Sequence, residues 1–187
     1  MTRRGEFPGL EVGQATAVTG PTADVALADF VGAHYDRLLR LARLVCDDAT
    51  DAADAVQTGF EQAWRRRASL RDATRTRPWL DRIVVREAIR ISRKRRSWLG
   101  RLTHGPAEDR WIELGDPHAE QVPAWTALRA AFAGLSPEQR AVVSLHLHAG
   151  YSVAETATLV GAPIETVRSR LRLAKERLRR ELEEDAR

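Results

Sequence analysis

The chain has 187 residues, a net charge of +4 and an apolar fraction of 43%, enough for one packed domain of ordinary size or two small ones. Its single cysteine, Cys46, permits neither an internal disulfide nor a cysteine-rich zinc site, and its apolar neighbours suit inert core packing. No apolar run reaches the ~18 residues that cross a bilayer and the N-terminus lacks the apolar core of a secretion signal, so a soluble cytoplasmic protein without membrane insertion is expected.

The distribution of charge says more than its sum. Residues 1–64 hold 10 acids against 5 bases, whereas residues 65–101 hold 14 bases against 3 acids. Clustered positive charge of this kind is a footprint for a polyanion, because each phosphate neutralised releases counterions. A merely solvated helix face is the bland alternative.

In chain order, residues 1–23 are rich in glycine and proline without apolar periodicity and predict a disordered tail. From residue 24 a helical pattern sets in, with Leu27, Phe30, Val31, His34, Leu38, Leu41 and Val45 on one face. Asp47 and Asp48 end this helix and suit a cap for the next. The second helix, about 50–67, is expected to bury Ala53, Val56, Phe60 and Trp64; Gly59 inside it costs ~1 kcal/mol against alanine and makes the helix depend on tertiary packing. A basic loop over 68–77 leads to Pro78, which fits the first turn of a third helix ending near residue 96. Its apolar side is Trp79, Leu80, Ile83, Val84, Ala88 and Ile91; its other side is Arg82, Arg86, Arg90, Arg93 and Lys94.

Residues 97–121 carry Gly100, Gly105, Pro106, Gly115 and Pro117 and turn acidic, the composition of an extended linker. Trp98, Trp111 and Ile112 make it more apolar than a plain spacer. A second small domain spans 122–187. Trp125, Leu128, Ala131 and Phe132 form its first helix, which ends at Gly134. Ser136-Pro137-Glu138-Gln139 is a capping box for a helix burying Val142, Val143, Leu145 and Leu147 and ending at Gly150. Ser152 with Glu155 caps the next helix, and a Gly161-Ala162-Pro163 turn leads to the last, with Val167, Leu171, Ala174, Leu178 and Leu182 in one stripe. No strand-like alternation stands out, so the fold is expected to be all-α, with two small helical domains joined by an extended acidic linker.

The last two helices have the form of a helix-turn-helix, whose second helix enters the major groove. Its solvent side carries Thr166, Arg168, Ser169, Arg170, Arg172 and Lys175; arginine in the first turns pairs bidentately with guanine. Arg177, Arg179 and Arg180 lie further along, where phosphate or solvent contact is expected. The upstream basic helix comes after a long basic loop, which suits an irregular or single-stranded nucleic acid. Trp79 there suits either stacking on a base or packing in the core beside Ile83.

At this point the motifs resemble those of the extracytoplasmic-function sigma factors, the two-domain branch of the sigma-70 family. Asp51-Ala52-Ala53-Asp54-Ala55-Val56-Gln57 is similar to the family's D-A-E-D-L-V-Q, and Phe60 and Trp64 match the phenylalanine and tryptophan downstream of that motif. Arg77-Pro78-Trp79-Leu80 is similar to R-T-W-L ahead of a basic helix. Leu135-Ser136-Pro137-Glu138-Gln139-Arg140, Tyr151-Ser152-Val153-Ala154-Glu155 and Thr166-Val167-Arg168-Ser169-Arg170-Leu171 match the C-terminal pattern. The resemblance covers 30–96 and 125–182. Departures are Ala53 where glutamate is usual, Thr58-Gly59 for Glu-Thr, Val85-Arg86 where Arg-Asn is common, and Leu173 at a position often basic.

The resemblance implies a transcription initiation factor with no catalysis of its own and no cofactor or metal. It implies sigma region 2 over 24–96, sigma region 4 over 122–187, and partners in core RNA polymerase (β′ clamp helices and β subunit) and promoter DNA. Asp51, Asp54, Gln57 and Phe60 would serve polymerase binding. Leu70, Arg71, Arg75, Arg77, Trp79, Arg82, Arg86 and Arg90 would handle the −10 element, and Thr166, Arg168, Ser169, Arg170, Arg172 and Lys175 the −35 element. The acidic linker would thread toward the active-site and RNA-exit channels. Members are often held by an anti-sigma factor, and Trp98, Trp111 and Ile112 suit such contacts. A conventional helix-turn-helix regulator would leave the basic middle helix unexplained. An enzyme is disfavoured because His146 and His148, two apart on a helix, point in different directions.

Overall fold

A computed structural model describes residues 21–70, 72–102 and 131–185, all of them in helices, turns or short connections. Residues 1–33 and His34–Arg187 form two units; the helix α1, Pro21–Arg43, begins three residues inside the expected tail. All side-chain contacts below lie within the second unit.

Leu38, Leu41, Ala42 and Val45 are buried along and just after α1. The Asp48 carboxylate then accepts from the Asp51 backbone N–H at 2.7 Å and opens α2, Ala49–Arg65. The buried face of α2 keeps the expected Val56 and Phe60 but not Ala53, which is half-buried, or Trp64. It consists of Ala52, Ala55, Val56, Gly59, Phe60 and Ala63, while Trp64 is 37% exposed with the Arg67 guanidinium 4.5 Å from its ring centroid. Small residues on that face let α2 lie close against α3, Thr76–Leu102. A Cβ added at Gly59 would stand 2.6 Å from Val84 Cγ2. Phe60 stacks on Tyr35, centroids 6.5 Å apart.

Between α2 and α3 the basic segment forms two 3-10 turns, Arg67–Ser69 and Ala73–Arg75, rather than an irregular loop. Helix α3 buries Leu80, Ile83, Val84, Val85, Ala88 and Ile89, whereas Trp79 and Ile91 are half-buried. It also runs through Gly100 to Leu102, six residues past the expected end. A glycine costs a helix ~1 kcal/mol but does not break it as proline does. The remainder of the expected linker, with Trp111 and Ile112, lies outside the described residues, as do Trp125 and Leu128. Cys46 packs in this core with Sγ 3.9 Å from the Ala88 carbonyl, and burial pushes its thiol up to about 12. It is therefore protonated and inert at neutral pH, as expected from the sequence.

Both expected capping boxes are present. Ser136 and Gln139 exchange side-chain and backbone hydrogen bonds at the start of α4, Pro137–Val143, and Ser152 and Glu155 do the same for α5, Val153–Val160. After α4 the chain widens into a π turn, Ser144–His148, in which the Ala149 N–H reaches back to the Ser144 carbonyl at 2.9 Å. The wider turn shifts the register, so that Leu145 is buried but Leu147, expected in the core, is 54% exposed. Gly161 ends α5 at φ +72°, the left-handed conformation that glycine adopts without a Cβ penalty. The last helix, α6, runs Ile164–Asp185. Val167, Leu171 and Ala174 pack with Leu135, Val142, Val143 and Ala157 in the C-terminal core, with Leu178 against its edge.

Candidate nucleic-acid and polymerase interface

The two helical clusters present three distinct surfaces. On α6 the buried row Val167, Leu171, Ala174 fixes the opposite side as solvent-facing. Arg168, Ser169, Arg172 and Lys175 are exposed there, with Thr166 half-buried. Arg168 pairs with Glu165, and Arg172 with Glu176 at 2.8 Å. Exposed pairs one turn apart are weak, about 0.3–0.5 kcal/mol, so both guanidinium groups are free to exchange a carboxylate for DNA. Arg170 departs from the expected set. It is half-buried and faces a cleft lined by Arg86, Arg90, Arg93 and Glu138. The C-terminal half of α6 leaves Arg179 and Arg180 exposed, while Arg177 approaches Gly134.

The second surface is α2 with the facing side of α3. Asp54 and Gln57 are exposed and line a groove with Ile91, Lys94 and Trp98, the last 55% exposed. Of the other two residues expected to bind polymerase, Asp51 also lines this groove and Phe60 lies beneath the surface. Phe60 is buried in the stack on Tyr35. Asp51 accepts from Arg95 at 3.0 Å; burial raises its carboxyl above the ordinary range, against the pull of Arg95.

The third surface is the basic segment and the arginine face of α3. Leu70 is half-buried at the end of the first 3-10 turn, and Arg75 is exposed and paired with Asp72 at 3.6 Å. Arg71 lies outside the described residues. Trp79 is half-buried, Arg82 exposed, and Arg90 is held by Glu87. Arg77 and Arg86 are already engaged by the C-terminal cluster. Arg77 donates to the Ala149 carbonyl at 3.4 Å. Arg86 donates to the Leu159 carbonyl at 2.8 Å and the Thr158 carbonyl at 3.0 Å. Burial, together with Arg82, lowers the Arg86 guanidinium from its ordinary value.

Sequence reasoning missed a set of buried charges. Arg140, 0% exposed, donates to Asp47 at 2.6 Å and to the Cys46 carbonyl at 3.3 Å. Arg96 joins the same carboxylate at 3.0 Å and 3.2 Å. Burial works against ionised Asp47, but Arg96 and Arg140 outweigh it and hold the carboxyl below the ordinary range. Asp81, also fully buried, accepts from Arg37 and from the Tyr151 hydroxyl, the latter at 2.7 Å. The available signal was positional: Arg140 and Asp81 fall on the apolar stripes of their helices, beside Val143 and beside Leu80, Val84 and Val85. His146 is taken up locally, with Nδ1 2.7 Å from the Tyr151 carbonyl. Among the described residues no cluster of side chains suits a metal ion, and no helix is long and apolar enough to cross a membrane.

Comparison with known proteins accounts for both clusters. The Sigma-70 region 2 family model matches residues 30–98 and the Sigma-70 region 4 model residues 125–178. The ECF RNA polymerase sigma factor SigM of Mycobacterium tuberculosis is 36% identical over 147 residues, covering 79% of this chain and 72% of the relative. The RNA polymerase sigma-E factor of Streptomyces coelicolor is 31% identical over 154 residues, covering 82% of this chain and 84% of the relative. Among solved structures, the sigma factor RpoE bound to the anti-sigma factor NepR from Bartonella quintana shares the fold, with a TM-score of 0.59 at 23% identity, covering 84% of this chain and 97% of that one. CnrH in complex with the cytosolic domain of CnrY superposes with a TM-score of 0.56 at 25% identity, covering 87% and 90%. The chain therefore belongs to the extracytoplasmic-function sigma factors of the sigma-70 family, non-catalytic subunits that direct core RNA polymerase to specific promoters and assist promoter opening.

Proposed function

We propose a division of this activity among the three surfaces. The exposed row Arg168, Ser169, Arg172 and Lys175 of α6 reads the −35 element. Its position opposite the buried row Val167, Leu171, Ala174 is the observation that carries the reading, because a helix so anchored offers only that side to a major groove. Thr166 borders this row, and Arg170 joins it when the cleft beside α3 opens. The segment 70–76 and the face of Arg77, Trp79, Arg82, Arg86 and Arg90 handle the −10 element, with the arginines supplying phosphate contacts. Residues 24–96 thus act as region 2 and 122–187 as region 4, in the cytoplasm where the polymerase works.

Asp54 and Gln57 dock on the β′ clamp helices, and Asp51 and Phe60 hold the α2 surface in shape. Exposed acids and amides suit a protein partner, whereas the adjoining basic surface suits nucleic acid. An anti-sigma partner would compete for the same groove, with Trp98 as its apolar contact. The solved complex of the related RpoE with NepR supports that kind of partner. The double substitution Asp54→Arg with Gln57→Ala is expected to weaken binding of core polymerase at least ~10-fold, about 1.4 kcal/mol, while binding of a −35 duplex stays unchanged. Fluorescence titration of labelled chain with core enzyme measures the first and anisotropy the second. Unchanged affinity for core enzyme would place the docking surface elsewhere.

A further inference from the structure

We propose that Leu173 reads a thymine of the −35 element by packing on its C5-methyl group. The inference deepens the reading of α6 as the −35 helix and rests on it. Leu173 is 44% exposed, and among the described residues exposed between Glu165 and Arg180 it is the one apolar side chain. Its place on the helix is set by the core. With about 3.6 residues per turn, the buried row Val167, Leu171 and Ala174 puts Ser169 on the opposite side, and Leu173 stands one turn beyond Ser169 on that outer line. Arginines flank the line, Arg168 and Arg172 on one shoulder and Arg170 on the other. A helix that enters the major groove turns its outer line to the base edges, while longer side chains on its shoulders reach base edges or phosphates from either side. Ser169 and Leu173 therefore face the floor of the groove.

The chemistry of that floor selects the base. Base edges in the major groove offer hydrogen-bond donors and acceptors and one apolar group, the thymine C5-methyl. A leucine complements only the last. Against guanine or adenine it would bury the N7 acceptor without a donor, and against cytosine the N4 amino group without an acceptor, each at a cost in affinity. An exposed leucine is ordinary on a protein surface; this one is set apart by neighbours that all offer polar or charged contacts to DNA. Ser169 is short, and Arg172 is paired along the helix with Glu176 at 2.8 Å, which leaves Leu173 exposed between them. The same pair offsets the charge of Glu176, which would otherwise repel phosphate beside the leucine.

The test uses holoenzyme assembled from core polymerase and the full chain, with promoter duplexes carrying the −35 element found by run-off mapping. Each thymine of that element is replaced in turn by deoxyuridine, which lacks only the C5-methyl group. Affinity, read by fluorescence anisotropy, is expected to fall about fourfold at one thymine, the size of one methyl group withdrawn from contact, and to hold at the others. Leu173→Ala should lose at least as much on the parent duplex and then no longer distinguish thymine from deoxyuridine at that position, the signature of a direct pairwise contact. Because Leu173 is exposed, the variant should melt with the parent, so the loss lies in DNA binding. No thymine sensitive to loss of its methyl group, or a Leu173→Ala variant that keeps the sensitivity, would overturn the inference. Arg168→Ala tests the underlying reading separately: a relaxed −35 preference without any methyl effect removes only the role of Leu173, whereas unchanged −35 binding in both variants removes α6 as the reading helix as well.

Discussion

Gly59→Leu is expected to destabilise the fold by about 3 kcal/mol, the upper end of what overpacking a tight core costs. The added Cβ alone would meet Val84 Cγ2 at 2.6 Å, and Val84 cannot yield easily. It is fully buried on α3, its β-branched side chain holds one rotamer in a helix, and its backbone stands behind it at 3.5 Å. A leucine therefore drives α2 and α3 apart along their main contact. For a chain of this length the loss corresponds to a drop of roughly 6–12 °C in melting temperature, readable by circular dichroism. Gly59→Ala sets a helix-propensity gain of about 1 kcal/mol against the same clash and should be neutral to mildly destabilising. A leucine variant as stable as the parent would mean that the α2–α3 spacing is not set at Gly59.

Arg168→Ala should cost about 1–3 kcal/mol of promoter affinity and relax the preference at one position of the −35 element. The side chain sits in the first turns of α6, exposed and paired with Glu165. Removing it leaves no buried group unpaired and should leave melting unchanged, so any loss reads directly on DNA. Anisotropy titrations against a panel of single-base −35 variants separate the alternatives. Loss confined to the parent base marks base readout; a uniform loss across the panel, with a shallower salt dependence, marks a phosphate contact instead.

Much of this was legible in the sequence where the determinants are local. Ser136 with Gln139 and Ser152 with Glu155 specify their helix starts within four residues, and Gly161 its helix end, so these boundaries are set by pattern alone. The row Arg168, Arg172, Lys175 is dictated by the apolar spacing that anchors it. For α2, Val56 and Phe60 were legible as core but the exact rotation of the helix was not, because a partner helix decided it. Small Ala52, Ala55, Gly59 and Ala63 permit close approach to α3, while bulky Trp64 is served well enough by Arg67 at the surface. Leu147 was misplaced because a π turn inserts a residue that no fixed period anticipates. Arg140 and Asp81 were missed because their partners, Asp47 and Tyr151, lie 93 and 70 residues away in the chain. The same long-range pairing explains why Arg77 and Arg86, legible as a nucleic-acid face, are engaged by protein carbonyls.

The central claim is best tested by run-off transcription with core RNA polymerase on fragmented genomic DNA of the host, with and without this chain. Discrete start sites that appear only with the chain, preceded by two shared upstream elements and lost with Arg168→Ala, are the predicted result. Specific DNA binding by the chain alone, with no start site dependent on core enzyme, would contradict it.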